Sequence, residues 1–164
     1  MNRSAAVGLV LAALVSVSAC DGDEQQAGVL VDRVDDALEA VEAAYGSSQD
    51  YIEVTATQDV VSVIVAGVGP AEQLFWTVNG AVTDPVDVGP IDRPTFGAEA
   101  VDFDPDRILD RLRDELPNSE IVDLAVTGDG AGGAIYDARV RSSQGGTLLV
   151  LLAGDGRILG VQGE

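Results

Sequence analysis

Apolar side chains recur at helical spacing between about Gly28 and Tyr45, and acidic residues occupy the remaining positions. The apolar positions are Leu30, Val31, Val34, Leu38, Val41 and Tyr45. Gly46 follows, and glycine accepts the left-handed backbone conformation that commonly ends a helix. The pattern therefore predicts an amphipathic helix that ends at about Tyr45.

The pattern then changes to extended segments. The dipeptide Asn79-Gly80 lies between apolar runs, which is a strong hairpin signal. Four segments alternate or are rich in β-branched residues: Tyr51 to Thr57, Val60 to Val68, Leu74 to Val78 and Ala81 to Thr83. The first half of the chain is therefore predicted to contain a helix followed by three or four antiparallel strands.

The same order returns after a stretch rich in proline and glycine at residues 85–103, which is typical of a linker. Asp104-Pro105 is typical of an N-cap followed by proline at the first helical position, and the helix is predicted to end near Leu116. Strands are predicted at Ile121 to Val126, Ala134 to Arg141, Thr147 to Leu152 and, after the Asp155-Gly156 turn, Arg157 to Val161.

The turns Asn79-Gly80 and Asp155-Gly156 lie 76 positions apart, and the two helices begin at about the same offset. This spacing indicates an internal duplication. The predicted fold class is α+β, with two similar helix–β-meander units at 28–84 and 104–164 that form one antiparallel sheet or two.

Some predicted strands are apolar on both faces. Residues 147–152 read Thr-Leu-Leu-Val-Leu-Leu, although a strand with one solvated face should alternate. We expect the second face to be covered by the sheet or helix of the other half, or else by a ligand or partner. Trp76 is the first candidate for a ligand or partner contact and Phe75 the second, with a core position as the alternative for the tryptophan.

The chain begins with a short basic and apolar leader. Arg3 precedes an apolar run from Ala5 to Val17, which fits a signal peptide of 1–19 better than a helix that spans a membrane. The order Val17-Ser18-Ala19-Cys20 resembles the bacterial lipoprotein lipobox, and an ordinary secretory leader with a free thiol is the alternative.

The lipobox resemblance implies cleavage between Ala19 and Cys20 and covalent attachment of a lipid, diacylglyceryl with acyl chains such as palmitate, to the Cys20 sulfur. Two acyl chains suffice for stable anchoring. Residues 20–27 are polar and acidic, and we interpret them as a tether. The expected location is the extracytoplasmic face of the cell membrane.

Composition argues against several functions. The formal charge of −19 disfavours binding to nucleic acid. The chain contains no histidine and no lysine, which leaves few bases for nucleophilic catalysis, so we expect no enzymatic activity.

A candidate calcium-binding pattern is formed by three alternating carboxylates, Asp102, Asp104 and Asp106. The EF-hand pattern requires glycine at its sixth position and glutamate at its twelfth, where this chain has Arg107 and Arg113, so capping is the favoured role of Asp104. We therefore predict no metal and no cofactor beyond the lipid.

The order of elements over residues 28–164 looks like that of PepSY-like domains, and the duplication resembles the tandem architecture of secreted β-lactamase inhibitor proteins. The first resemblance implies a non-catalytic binding or regulatory module for a protein or envelope component. The alternative is a carrier or sensor of an apolar or lipid ligand. The sequence leaves the oligomeric state open.

The substitution Cys20→Ala is expected to release the protein from membranes, because it removes the sulfur that carries the lipid. Fractionation of cells into soluble and membrane pools measures this release. Ser16→Ala, in the same leader but outside the lipobox, serves as the control and should leave the protein in the membrane pool. Retention of the Cys20→Ala chain in membranes would contradict lipid anchoring.

Overall fold

The computed structural model describes residues 28–163. The predictions for the leader, for the cleavage site at Ala19 and Cys20 and for the tether lie outside these residues. Two helices are present, α1 (Val34–Tyr45) and α2 (Pro105–Glu115), with short 3-10 turns at Val31–Arg33 and Ala98–Ala100. The strands are β1 (Tyr51–Ala56), β2 (Val60–Val65), β3 (Ala71–Thr77), β4 (Val86–Gly89), β5 (Ser119–Gly128), β6 (Ala134–Ser142), β7 (Thr147–Leu152) and β8 (Ile158–Gly163).

Both helix boundaries that the sequence predicts from capping residues are confirmed. Gly46 has φ of 74° and its amide donates a hydrogen bond to the Glu42 carbonyl, as expected where a helix ends. Asp104 caps α2, since its Oδ1 accepts a hydrogen bond of 3.1 Å from the amide of Arg107, and Pro105 occupies the first helical position. The Asp104 carboxylate therefore has the capping role.

All eight strands belong to one antiparallel sheet in the order β4-β3-β2-β1-β5-β6-β7-β8. Six of the seven ladders join strands that are consecutive in sequence. The remaining one pairs β1 with β5, with Glu53 to Ala56 opposite Leu124 to Thr127. We call this ladder the seam, because the first four strands meet the last four along it.

One face of the sheet holds the hydrophobic core. Alternate residues of the six inner strands are buried there against both helices, which contribute Val34, Ala37, Leu38 and Val41 from α1 and Ile108 and Leu112 from α2 to the same cluster. The strands contribute, among others, Val54, Val61, Val63, Leu74, Leu124, Val126, Val140 and Val150. The structure is therefore a two-layer α+β fold with both helices on one side of the sheet.

Strand β4 lies inside the stretch that the sequence predicts as a linker, and the predicted strand at 81–83 is reduced to one bridge between Trp76 and Val82. The hairpin continues past its Asn79-Gly80 turn, but Pro85 has no N–H to donate to a ladder. Pairing resumes only at Val86, on an edge strand, where proline nearby is tolerated.

The crossover between β4 and α2 is fixed across the end of the seam. The Tyr51 amide donates to the Phe96 carbonyl at 2.8 Å, and the Phe96 amide donates back at 2.9 Å. A Cβ atom at Gly128 would lie 2.8 Å from the Pro94 carbonyl oxygen, so only glycine permits this close approach. Further along, the Asp102 amide donates to the Tyr136 hydroxyl at 3.0 Å. These contacts hold residues 94–102 against β1, β5 and β6.

Asp104→Ala is expected to lower the free energy of unfolding by about 1 kcal/mol, because the variant leaves the Arg107 amide without its capping acceptor. The measurement is equilibrium denaturation in urea. Asp114→Ala makes the same change in the exposed last turn of α2, where a carboxylate faces the negative end of the helix, so its effect should be near zero or slightly stabilising. Equal losses in the two variants would contradict the capping role.

Candidate interaction surface

The second face of the sheet carries neither helix. We call it the open face. The ladders align one row of its residues across six strands, in the order Phe75, Ser62, Thr55, Ala125, Asp137 and Leu151. These positions alternate with buried core residues along each strand, so their side chains lie opposite the helices. The open face is therefore a sheet surface that neither helix covers.

Apolar side chains remain partly exposed on the open face. Those of Val60, Ile64, Phe75 and Leu149 are half-buried, and 39% of Leu151 is exposed. The expectation that a sheet or helix from the other half covers the second face of β7 is therefore wrong. The two halves join edge to edge, and both helices pack on the opposite side.

The charged residues on the open face form ion pairs across it. Arg93 Nη1 lies 2.7 Å from Glu53 Oε2, Arg139 Nη1 lies 3.5 Å from Asp123 Oδ2, and Arg141 Nη1 lies 3.4 Å from Glu120 Oε2. Asp137 adds a fourth carboxylate to the open face.

The open face carries much less net charge than the rest of the domain. Residues 28–163 contain eight arginines and twenty-four carboxylates, a net charge of −16, whereas the three arginines and four carboxylates of the open face carry only −1. The acidity of the domain thus lies almost entirely on its other surfaces.

Asp137 lies near the centre of the open face with a perturbed carboxyl group. Burial raises its pKa above the ordinary value of 3.8, and the neighbouring charges of Glu53 and Asp123 raise it further, while Arg139 and Arg93 act in the opposite direction. The ionised carboxylate is therefore held at a cost in the unbound protein.

The two aromatic residues proposed from the sequence point to opposite faces. Trp76 is 2% exposed and packs in the core, where the Arg33 guanidinium lies 5.5 Å from the ring centroid. Phe75 lies on the open face and is half-buried. The structure thus places Phe75 and not Trp76 on an uncovered surface, and the contact role of both remains a prediction.

Local sequence pattern does not reveal that Asp123, Asp137, Arg139 and Leu151 belong to one surface. Their alternation along β6 and β7 was visible, since Asp137, Arg139 and Arg141 recur at every second position. The pairing of the distant strands β1 and β5 brings them near Glu53, and the register of β6 with β7 places Leu149 opposite Arg139. Neither register can be obtained from local pattern.

The pockets of the described chain are open to solvent and mixed in character. A small one of about 90 Å³ lies beside Gly28, between Leu109 and Ile121. A larger depression of about 680 Å³ is lined by Asp104, Asp106, Asp110 and Asp114 together with arginines of α2. Apolar ligands usually occupy concave, mainly apolar pockets, and these linings do not provide one.

Between residues 28 and 163 there is no cluster of three or more acidic or cysteine side chains arranged to hold a metal ion. Over the same residues, no helix has the length and hydropathy needed to cross a membrane.

No protein-family model matches the chain, and no curated protein is significantly similar to it. Three solved structures match the chain. One is a "putative lipoprotein" of Clostridium difficile 630, with a TM-score of 0.57 and 12% identity over 84% of this chain and 94% of that one. The other two are a periplasmic protein of Bacteroides eggerthii (TM-score 0.34, 11% identity, 79% and 87% covered) and a DUF2874 family protein of Bacteroides uniformis (TM-score 0.33, 10% identity, 78% and 87% covered). At these identities the first similarity shows a shared fold.

Asp137→Asn is expected to raise the free energy of unfolding at pH 7. A carboxyl group with a raised pKa binds its proton more tightly in the folded state, so the wild-type protein loses stability as pH rises from 3.8 through the folded pKa. Asparagine cannot ionise, so the gain should shrink as pH falls towards 3.8. Urea denaturation at several pH values measures it.

Asp129→Asn is the matched control for this pH dependence. The Asp129 carboxylate accepts hydrogen bonds from the amides of Ala131 and Gly133, which lower its pKa, so its substitution should reduce stability at pH 7 with the loss shrinking in acid. The same sign of effect in both variants would contradict the assigned environment of Asp137.

Proposed function

We propose that this chain is a membrane-anchored extracytoplasmic lipoprotein whose α+β domain is a non-catalytic binding or regulatory module. Its partner is a protein or cell-envelope component that docks on the open face. The observation that carries this proposal is the uncovered sheet face with its exposed apolar side chains and its nearly neutral charge.

The composition of the open face suits a protein interface. The cores of such interfaces are depleted in charged residues and enriched in aromatic residues and arginine. Phe75 and Leu151 supply apolar area, and Arg93, Arg139 and Arg141 are already neutralised by carboxylates. A partner that covers this surface would desolvate few uncompensated charges.

Anchoring through Cys20 is supported by the lipobox order Val17-Ser18-Ala19-Cys20. The Clostridium difficile protein of the same fold is itself described as a "putative lipoprotein", which agrees with this proposal. The mature chain beyond Ala19 has a charge of −20, so the domain is repelled by an anionic membrane surface and its open face stays accessible to a partner.

We also propose that the domain arose from two similar units, PepSY-like in their order of elements. Each half has a helix followed by four strands, and the seam joins the first strand of one half to the first strand of the other. The turns Asn79-Gly80 and Asp155-Gly156 then occupy equivalent places between the third and fourth strands of each half.

A photo-crosslinking amino acid at position 75 is expected to form a covalent adduct with a protein in intact cells that express the full chain naturally. The same residue at position 114, on the exposed side of α2, is the control and should form none. Adducts are detected as bands of increased mass on immunoblots of the membrane fraction.

Leu151→Glu, combined with the crosslinker at position 75, should reduce the adduct, because the new carboxylate would lie opposite Asp137 and add an unpaired negative charge to the open face. Equal adducts at positions 75 and 114 would contradict docking on the open face. Lipid in place of protein in the adduct would support the alternative function, a carrier of apolar ligands.

A further inference from the structure

The two edges of the sheet differ in how well they are protected against pairing with another strand. Strand β4 is four residues long, contains Asp87 and is flanked by Pro85 and Pro90. Short length, charge and proline are the features by which edge strands avoid pairing. Strand β8 is six residues long and contains neither charge nor proline. Strand β8 therefore lacks the charge and the proline that protect β4, and its ladder to β7 has one irregularity, between Leu151 and Leu152.

The hairpin that carries β8 has few charged side chains. From Ser142 to Gly163 the chain has only two charged residues, Asp155 and Arg157, although 23% of all residues are charged. Its apolar side chains are exposed as well, with 52% of Leu159 and 54% of Val161 accessible to solvent. The free edge of β8 therefore combines backbone hydrogen-bonding groups that no strand pairs with and the exposed apolar side chains of Leu159 and Val161.

We propose that β8 pairs antiparallel with β8 of a second copy of this chain, which joins two sheets into one continuous sheet of sixteen strands. A two-fold axis through the middle of the strand, at Gly160 or Val161, aligns the strand with itself. Centred on Val161, the pairing sets the two valines directly opposite each other on the helix side of the sheet, where Val161 already pairs with the buried Val150.

The charges that flank β8 are complementary in this arrangement. Arg157 precedes the strand and Glu164 follows it in the sequence. Antiparallel pairing places the beginning of one strand beside the end of the other, so Arg157 of each copy lies near the end of its mate's β8, after which Glu164 follows in the sequence. Long side chains reach diagonal positions in a sheet.

The occupant is a second copy because the strand is complementary to itself. A basic partner would find no carboxylate within Ile158–Gly163, and an acidic partner would be repelled by the rest of the domain. Two copies would meet along Ile158–Gly163, which contains no charged residue, and repulsion between charges more than about 8 Å apart is largely screened at physiological salt. Membrane anchoring would raise the local concentration of copies.

Crosslinking of the full chain with its leader, in intact cells, tests the pairing. Val161→Cys, treated with a short thiol-reactive bismaleimide, is expected to give a species of twice the monomer mass, because the paired strands bring the two cysteines within reach of the reagent. Val86→Cys on β4 is the matched control, since that edge valine is 55% exposed and Val161 is 54% exposed. The wild-type chain, whose only cysteine is Cys20, reports the background.

Charge reversal at the strand ends separates specific pairing from chance collision. Arg157→Glu in the Val161→Cys chain should reduce the crosslinked dimer by about two-fold or more, and adding Glu164→Arg should restore it. Equal dimer from Val161→Cys and Val86→Cys, absence of dimer, or an adduct with a different protein would each overturn the proposal. None of these outcomes bears on docking at the open face, which the crosslinker at position 75 tests separately.

Discussion

The seam between β1 and β5 is the interaction on which the rest of the fold depends. It is the one ladder between strands that are distant in sequence, and it turns two local meanders into a single sheet. Val54 pairs with Val126 and Ala56 with Leu124, and all four side chains are fully buried beneath the helices. Neither helix could bury its apolar face so completely if the halves were separate, because α1 and α2 share one core. The crossover residues that pair with Tyr51 and approach Gly128 close the end of this seam.

One-sided coverage of the sheet follows from the seam. The halves join edge to edge in a register that puts both helices on the same side, and the other side of the sheet is left to solvent. The strands then face two different requirements, a dry core on one side and a soluble surface on the other. The open face meets the second requirement by pairing its arginines with carboxylates and leaving apolar side chains half-buried between them. That combination is soluble alone and can be covered without a large electrostatic cost.

Local signals in the sequence predicted the elements well and their arrangement poorly. Gly46, Asp104 and Pro105 act through their own backbone geometry, so the helix ends could be predicted, and residues 147–152 form a strand with the predicted bounds. Strand β4 was missed because the pairing that defines it comes from β3, and Pro85 within the stretch indicates a loop. The membership of the open face was missed for a related reason. Asp137 and Leu151 become neighbours only through the register of β6 and β7, which depends on the whole ladder.

Trp76 is the single tryptophan of the chain, and its position has an optical consequence. It is buried in the first half of the molecule, beneath the Arg33 guanidinium at the beginning of α1. Its fluorescence therefore reports on the packing of α1 against β3 and does not report on α2 or the last four strands. Emission from this indole and a signal from the backbone as a whole change together only if the seam makes the two halves unfold as one unit. The protein thus carries a natural reporter of its own cooperativity.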